Sequence, residues 1–302
     1  IEDQLMGAGL SQVITYSFGD EKWPDRLRLE PEDPRRTGVR IANPLSADQS
    51  VMRTMLLPGL LATAQSNVAV REERVHIFES GRVYHPSESV LPDEKTFAAI
   101  LVTGDWEGES WLQSESVVDY YLLKGIVERV CTVLHCPLDY EPAQEPFLHP
   151  GRSAVMRTAD GRPAGWLGEI HPLVLQEYDL RGPAVAAELD VSVLLDASSG
   201  MGTFKDLLAY PVVEQDLALV VDKSVPAAAV VACLRRTGGE LLEDVAVFDL
   251  YEGSQVPAGK KSLALRLSFR AADRTLSDAE VNELREFMVR RIGEELGAGL
   301  RA

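Results

Sequence analysis

The sequence predicts an α+β chain in two parts. Strand-like runs follow one another directly along the chain, helical stripes are few and long, and a small-residue tract, Ser198–Thr203, reads as a linker. Domains are therefore expected at residues 1–197 and 204–302.

The first part opens inside a helix, Ile1 to Met6, that closes at Gly7 and Gly9. Gln12 to Phe18 (QVITYSF) is rich in β-branched and aromatic residues and predicts a strand. A polar loop, Asp20 to Pro34, follows, and Val39–Ile41 is expected as a short strand entering the Asn43-Pro44 turn. Leu57, Leu60, Leu61, Ala64 and Val68 then form one helical stripe, which tolerates Pro58 only in the first turn. Strands are predicted at Val75–His85, Phe97–Thr103, Ser153–Thr158, Ala164–Gly168 and Val185–Val191, with a short helix at Pro172–Tyr178. A long helix over Val117–Leu134 places Val118, Leu122, Ile126, Val130 and Leu134 on its buried side.

The second part is simpler. Val213–Asp222 alternates Asp216, Ala218 and Val220 against Leu217, Leu219 and Val221, the better core face. A helix from Val225 to Arg236, opened by Ser224 and stopped by Gly238-Gly239, follows. Next comes a hairpin. In its first run Ala246, Phe248 and Leu250 alternate with Val247, Asp249 and Tyr251. In its second, Leu263, Leu265, Leu267 and Phe269 alternate with Ser262, Ala264, Arg266, Ser268 and Arg270. The last helix, Asp278–Leu296, carries a capping box, Ser277 with Glu280, and a stripe of Val281, Leu284, Met288, Ile292 and Leu296. A terminal strand at Gly299–Arg301 completes β-α-β-β-α-β, the split-βαβ ferredoxin-like order.

Composition narrows the function classes. Hydrophobic content of 45% and charged content of 25% are those of an ordinary globular chain. The longest apolar stretch, Val225–Leu234, is too short for a bilayer and is broken by Pro226, so no membrane span is expected, and no basic n-region precedes an apolar segment, so no secretory signal is expected. The chain begins with Ile inside a helix, which predicts a piece of a longer protein. Three cysteines suit a reducing cytoplasm, and Cys131 and Cys136 read as buried structural thiols because no further metal ligands match their spacing. A net charge of -17 argues against a general nucleic-acid binder. Residues 204–302 carry 13 Lys and Arg against 16 Asp and Glu, a net of -3, which leaves 17 against 31, a net of -14, for residues 1–203.

The open face of the hairpin holds the chemistry. Tyr251 can stack on a base, and an ionised Asp249 only accepts, so it matches the N–H donors on a guanine edge. Ser262 can donate or accept, while Arg266, Arg270 and Arg301 can stack or reach phosphate. The plainer reading is a polar strand edge with a half-buried ring. His149 and His171 lie beside prolines in turns, with no nucleophile to pair with them.

These motifs resemble the bacterial phenylalanyl-tRNA synthetase β-subunit family. YPVVEQDLALVVD (210–222), FDLYEG (248–253), GKKSLALRLSFR (259–270), DRTLSDAEV (273–281) and the terminal GAGLR are similar to its ferredoxin-fold anticodon-binding domain. NPLS (43–46), RTMLLPGLL (53–61), FESGRVY (78–84), HPGRSA (149–154) and GWLGEIHP (165–172) resemble its class II synthetase-like module. The likeness covers essentially the whole chain. It implies an antiparallel class II-like sheet with helices, followed by the ferredoxin-like domain. It also implies a tRNA-binding oligonucleotide-fold domain, an editing domain and magnesium-ligand carboxylates ahead of this segment. The implied role is the non-catalytic part of a cytoplasmic phenylalanine–tRNA ligase. That part assembles with the α subunit as α2β2 and recognises tRNA(Phe), and the holoenzyme uses ATP and Mg2+ that this segment does not hold.

The resemblance places the first anticodon base, a guanine, against Ala218, Asp249, Tyr251, Ser262 and Arg301, and the helix around Leu56–Val68 in the α-subunit interface. Gln215 stands where the family usually has Arg, which puts any phosphate contact or ion pair of that Arg in doubt. No catalytic or metal residue is expected. Phe78-Glu79 and Arg82 lack the Arg-x-Glu spacing of class II sites, and Glu169 follows Gly168 where an Arg is needed to meet a triphosphate. The competing readings are an independently active class II ligase and a general interaction module with no RNA contact.

Overall fold

The computed structural model describes residues 1–108, 111, 118–200 and 210–301, so Val117 and the linker's last three residues lie outside the described chain. Two compact units, 1–203 and 204–302, divide it.

In the first unit the elements run α1 (Glu2–Gly7), β1 (Ser11–Gln12), β2 (Phe18–Gly19), α2 (Trp23–Arg26), β3 (Val51–Met52), α3 (Leu57–Ala69), β4 (Val75–His85) and β5 (Asp93–Thr103). They continue with α4 (Tyr120–Val133), β6 (Leu138–Pro142), β7 (Leu148–Thr158), β8 (Pro163–Ile170), α5 (Pro172–Glu177), β9 (Ala184–Asp190) and α6 (Val191–Ala197). A seven-stranded sheet takes the order β1-β4-β5-β9-β8-β7-β6. All its pairs are antiparallel except β1 with β4. One apolar cluster packs α3 and Phe147, Trp166 and Tyr178 on one side of the sheet, and another packs α4 and α6 with Phe78, Ile100 and Leu189 on the other. Both faces are covered, so β5 buries its last six residues in an unbroken run instead of alternating.

Two expected strands do not form. Only Ser11–Gln12 and Phe18–Gly19 of the QVITYSF region pair, and residues 13–17 cross the first turn of α3 instead. There the Thr15 hydroxyl donates to Glu79 at 2.6 Å, and a Cβ on Gly59 would come within 2.5 Å of the Thr15 hydroxyl. A side chain at position 59 would push this crossing away. Val39–Ile41 contributes only one bridge, Arg40 to Val51.

The helix over Val117–Leu134 begins one turn later than expected, at Tyr120, where the Asp119 carboxylate accepts from the Leu122 N–H at 2.8 Å. Its buried stripe centres on Leu123, Ile126, Val127 and Val130; Leu122 and Leu134 are only partly buried. Pro58 does lie in the first turn of α3.

The second unit comprises β10 (Val213–Asp222), α7 (Ala227–Gly238), β11 (Leu242–Tyr251), β12 (Lys260–Phe269), α8 (Asp278–Leu296) and β13 (Gly299–Leu300). Its sheet has the order β11-β12-β10-β13, with every pair antiparallel. Leu217, Leu219, Val221, Leu263, Leu265 and Leu267 pack beneath α7 and α8, and among the described residues the opposite face carries no helix of this unit. The Ser277–Glu280 capping box forms, and backbone and hydroxyl donors from Ser277 hold the Glu280 carboxyl down at about 2. α7 starts after Pro226, two residues beyond the expected Val225, and Ser224 makes no cap.

The first run of the hairpin corrects the simple alternation. Val247 pairs with Leu265 but Asp249 pairs with Ala264, so Phe248 is a bulge. Ala246 lies opposite Arg266, and Phe248 sits under the Arg266 guanidinium at 5.4 Å. Both belong to the open face, and Val247, opposite Leu265, belongs to the helix face.

Candidate nucleic-acid interface

Register alone sets out the open face of the second unit. Directly opposed residues of neighbouring antiparallel strands share a face. One row crosses the sheet as Asp249, Ala264, Ala218, and the next as Tyr251, Ser262, Val220. In the first row two methyl groups lie beside an exposed carboxylate, leaving a low floor next to Asp249. No side-chain hydrogen bond or ion pair among the described residues engages that carboxylate.

Arg301 reaches the same place from β13. Its backbone N–H donates to the Ala218 carbonyl at 3.0 Å, and its guanidinium lies 4.7 Å from the centre of the Tyr251 ring. That is cation–π distance. Ser262 lies on this face but is 2% exposed, so it forms the bottom of the site and its hydroxyl is reached only when its neighbours move.

Two predicted members stand apart. Arg266 lies four residues along β12 from Ser262, about 13 Å away at strand rise. It makes a two-pronged pair with Asp216 at 2.9 and 3.2 Å and holds that carboxyl below its ordinary value. Arg270 lies beyond the end of β12, its N–H on the Leu241 carbonyl and its guanidinium 3.1 Å from Glu243. At roughly 27 Å from Ser262 along the strand it is outside any pocket that holds one base. The structure thus gathers Ala218, Asp249, Tyr251, Ser262 and Arg301 at one end of the sheet.

Gln215 lies opposite Leu267, on the helix-covered face, and its amide donates to Asn282 of α8 at 3.2 Å. A side chain here bears on helix packing, not on a ligand at the open face.

The first unit offers a different surface. A cleft of about 460 Å³ lies between the Ile14–Phe18 crossing and the outer side of α3, floored by Gly59, Ala62 and Ser66. Ile14 and Tyr16 beside it are 91% and 76% exposed, a large apolar exposure for one short segment.

The remaining polar candidates of this unit are structural. The Arg53 guanidinium joins buried Glu79 at 2.7 Å, Thr15 and the Arg82 carbonyl. Arg82 pairs with Glu94 and Glu169 with Arg152, each at 2.8 Å. His171 caps α5 by accepting from the Leu173 N–H at 3.1 Å, and His149 accepts from Gly151 in its turn. Cys131, Cys136 and Cys233 are free and buried, and burial pushes the Cys131 thiol up to about 12.

A family model described as the phenylalanyl tRNA synthetase beta chain CLM domain matches residues 1–191, and one described as the ferredoxin-fold anticodon binding domain matches 209–301. The chain belongs to the phenylalanyl-tRNA synthetase β-chain family. Among its curated relatives, the phenylalanine–tRNA ligase beta subunit of Moorella thermoacetica is 46% identical over 97% of this chain and 37% of its own length. The subunit of the same name from Syntrophotalea carbinolica is 39% identical over 100% of this chain and 38% of its own. That of Syntrophus aciditrophicus is 41% identical over 98% of this chain and 37% of its own. The chain therefore spans well under half the length of these relatives. Both units carry the family likeness, including the sheet that bears the Asp249–Tyr251 site.

Three neighbours of this candidate site were not singled out from the sequence, although the alternation put Ala264 on the open face. Ala264 was recoverable as the small open-face position between Ser262 and Arg266. Gly253 and Gln255, in the loop after Tyr251, leave no periodic signal. A Cβ on Gly253 would lie 2.3 Å from the Tyr251 phenol oxygen, so the loop backbone itself seats the ring.

Proposed function

We propose that this chain is the non-catalytic C-terminal part of a phenylalanine–tRNA ligase β subunit and reads the first anticodon base of tRNA(Phe). The observation that carries the reading is the row Asp249–Ala264–Ala218 beside the Tyr251–Arg301 stack. A planar ligand lying over the alanines meets an acceptor at its edge, an aromatic ring and a guanidinium. Guanine presents two N–H donors on its Watson–Crick edge and suits that acceptor; adenine offers one donor beside an acceptor and suits it less.

Residues 1–203 serve as a class II synthetase-like support for the α subunit, which packs on α3 over the apolar cleft beside Ile14 and Tyr16. The exposed small residues Ala62 and Ser66 on the outer side of α3 leave room for a helix to approach this cleft. The work belongs to the cytoplasm, within an α2β2 assembly. ATP and Mg2+ serve the holoenzyme elsewhere. Buried Glu79 holds Arg53, and Arg82 and Arg152 each face a carboxylate that would oppose a triphosphate there.

The test uses the full-length β chain assembled with α. Asp249→Ala and Tyr251→Ala should each raise KM for tRNA(Phe) by roughly ten-fold, the loss expected for one stacking or charged contact. ATP–pyrophosphate exchange should stay intact. Unchanged KM in both variants would favour an interaction module with no RNA contact. Exchange activity in residues 1–302 alone would favour the independent ligase.

A further inference from the structure

Of the three arginines considered for the open face, two are neutralised by carboxylates: Arg266 by Asp216 and Arg270 by Glu243. Arg301 is held differently. Its guanidinium donates to the side-chain oxygen of Gln255 at 2.5 Å, a neutral acceptor that fixes the group, and no carboxylate among the described residues pairs with it. Gln255 lies in the segment between β11 and β12, which is itself tied down. Val256 is 8% exposed, its N–H donates to the Gly253 carbonyl at 3.0 Å, and Glu252 pairs with Lys223 at 2.6 Å.

We propose that the β11–β12 loop is part of the base-reading site, with Gln255 the positioning residue that holds Arg301 over Tyr251; this rests on the anticodon reading above. An arginine next to a two-residue strand loses substantial rotamer freedom when it is ordered. Here most of that ordering is in place before a ligand arrives. The backbone N–H is on Ala218, the guanidinium tip is on Gln255, and its flat face is on the Tyr251 ring. A glutamate at 255 would hold the same geometry but cancel the charge that an RNA phosphate meets. The amide supplies position without neutralisation. Ligand affinity is gained because the ordering cost is not met on binding. The same contact occupies one face of the Tyr251 ring, so a base stacks on the other face.

The test again uses the full-length β chain assembled with α, measuring kcat and KM for tRNA(Phe) carrying its own first anticodon base or adenine there. Gln255→Ala should raise KM for the native tRNA by roughly five-fold, the net worth of one ordinary hydrogen bond, since Arg301 itself remains. It should leave kcat and ATP–pyrophosphate exchange within about two-fold. Because Gln255 acts through Arg301, adding Gln255→Ala to Arg301→Ala should change KM by less than about two-fold more. The proposal is overturned if Gln255→Ala leaves KM unchanged while Tyr251→Ala raises it, or if the two single effects multiply in the double variant. A fall in kcat and exchange together would make Gln255 merely structural and overturn it as well. If Tyr251→Ala and Arg301→Ala both leave KM and base preference untouched, the anticodon reading itself fails and this inference falls with it.

Discussion

On the proposed reading, a single methyl group at Ala264 decides whether a base fits over the sheet. This alanine is the central residue of the row that joins Asp249 to Ala218, and its side chain is the floor on which a planar ligand would rest. Leucine there would fill the space above the sheet without entering the core, which lies on the opposite face. Ala264→Leu is therefore expected to raise KM for tRNA(Phe) in the assembled enzyme at least about ten-fold. It should shift unfolding stability by less than about 1 kcal/mol, since half-exposed surface positions tolerate added bulk. Thermal melts beside the kinetics check both halves, and a KM within two-fold of the parent chain would remove Ala264 from the site. Gly253→Ala tests the ring's seat. The new methyl group would meet the Tyr251 phenol at 2.3 Å and displace it, so KM should rise as it does for Tyr251→Ala. Alternation made Asp249, Tyr251 and Ser262 legible because strands have period two. Gly253 and Gln255 act from a loop, where only the folded path shows what they touch.

At the level of elements, the differences between expectation and structure share a cause in packing. The β11 bulge keeps Asp249 and Tyr251 on the open face while moving Phe248 there too, and β-branched composition at 12–18 yields to a crossing held by Thr15, Glu79 and Arg53. A sequence pattern reports faces but not where a ladder slips or a segment leaves its sheet. The start of α3 shows a further contact that no pattern reveals. Buried Glu188 on β9 accepts the otherwise unpaired N–H groups of Leu56 and Leu57, each at 3.3 Å, across the sheet from its own position in the sequence. Burial pushes its carboxyl up to about 7, against the opposing pull of those two donors and of Arg35 and Arg53. The folded value lies above the unfolded one, so the folded state binds the extra proton. Glu188 therefore contributes stability fully below about pH 4.5 and loses it as pH rises to about 7. The loss is about 3 kcal/mol at most, by the standard conversion of a shift of this size. Urea unfolding between these limits should show a steeper decline in the parent chain than in Glu188→Gln, whose amide cannot titrate. Parallel profiles would show that Glu188 does not titrate in this range. Gln should also be the less stable form at low pH, because its amide nitrogen faces one of the two N–H donors.

For the whole chain, the two units have separate cores and very different charge. Among the described residues, the second unit's apolar cluster is drawn from residues between Val213 and Ala298, and those of the first from residues before the linker. Each unit therefore holds the apolar contacts it needs to fold by itself, and residues 204–302 expressed alone should unfold cooperatively with the midpoint they show in the longer chain. Charge then distinguishes the two transitions. A net of -14 on residues 1–203 strains the compact state by self-repulsion, whereas -3 on residues 204–302 does so very little. Raising ionic strength from about 0.05 M to about 0.5 M shortens the screening length from roughly 14 Å to 4 Å and relieves repulsion between surface charges. The melting midpoint of the first unit should therefore rise with sodium chloride, and that of the second should stay nearly flat or fall slightly as surface pairs such as Arg266–Asp216 are screened. Calorimetry of the whole chain and of 204–302 alone, over a salt series, reads both. Equal shifts in the two transitions would mean that the acidic excess is already balanced within the first unit, with no uncancelled field left to complement a basic partner surface.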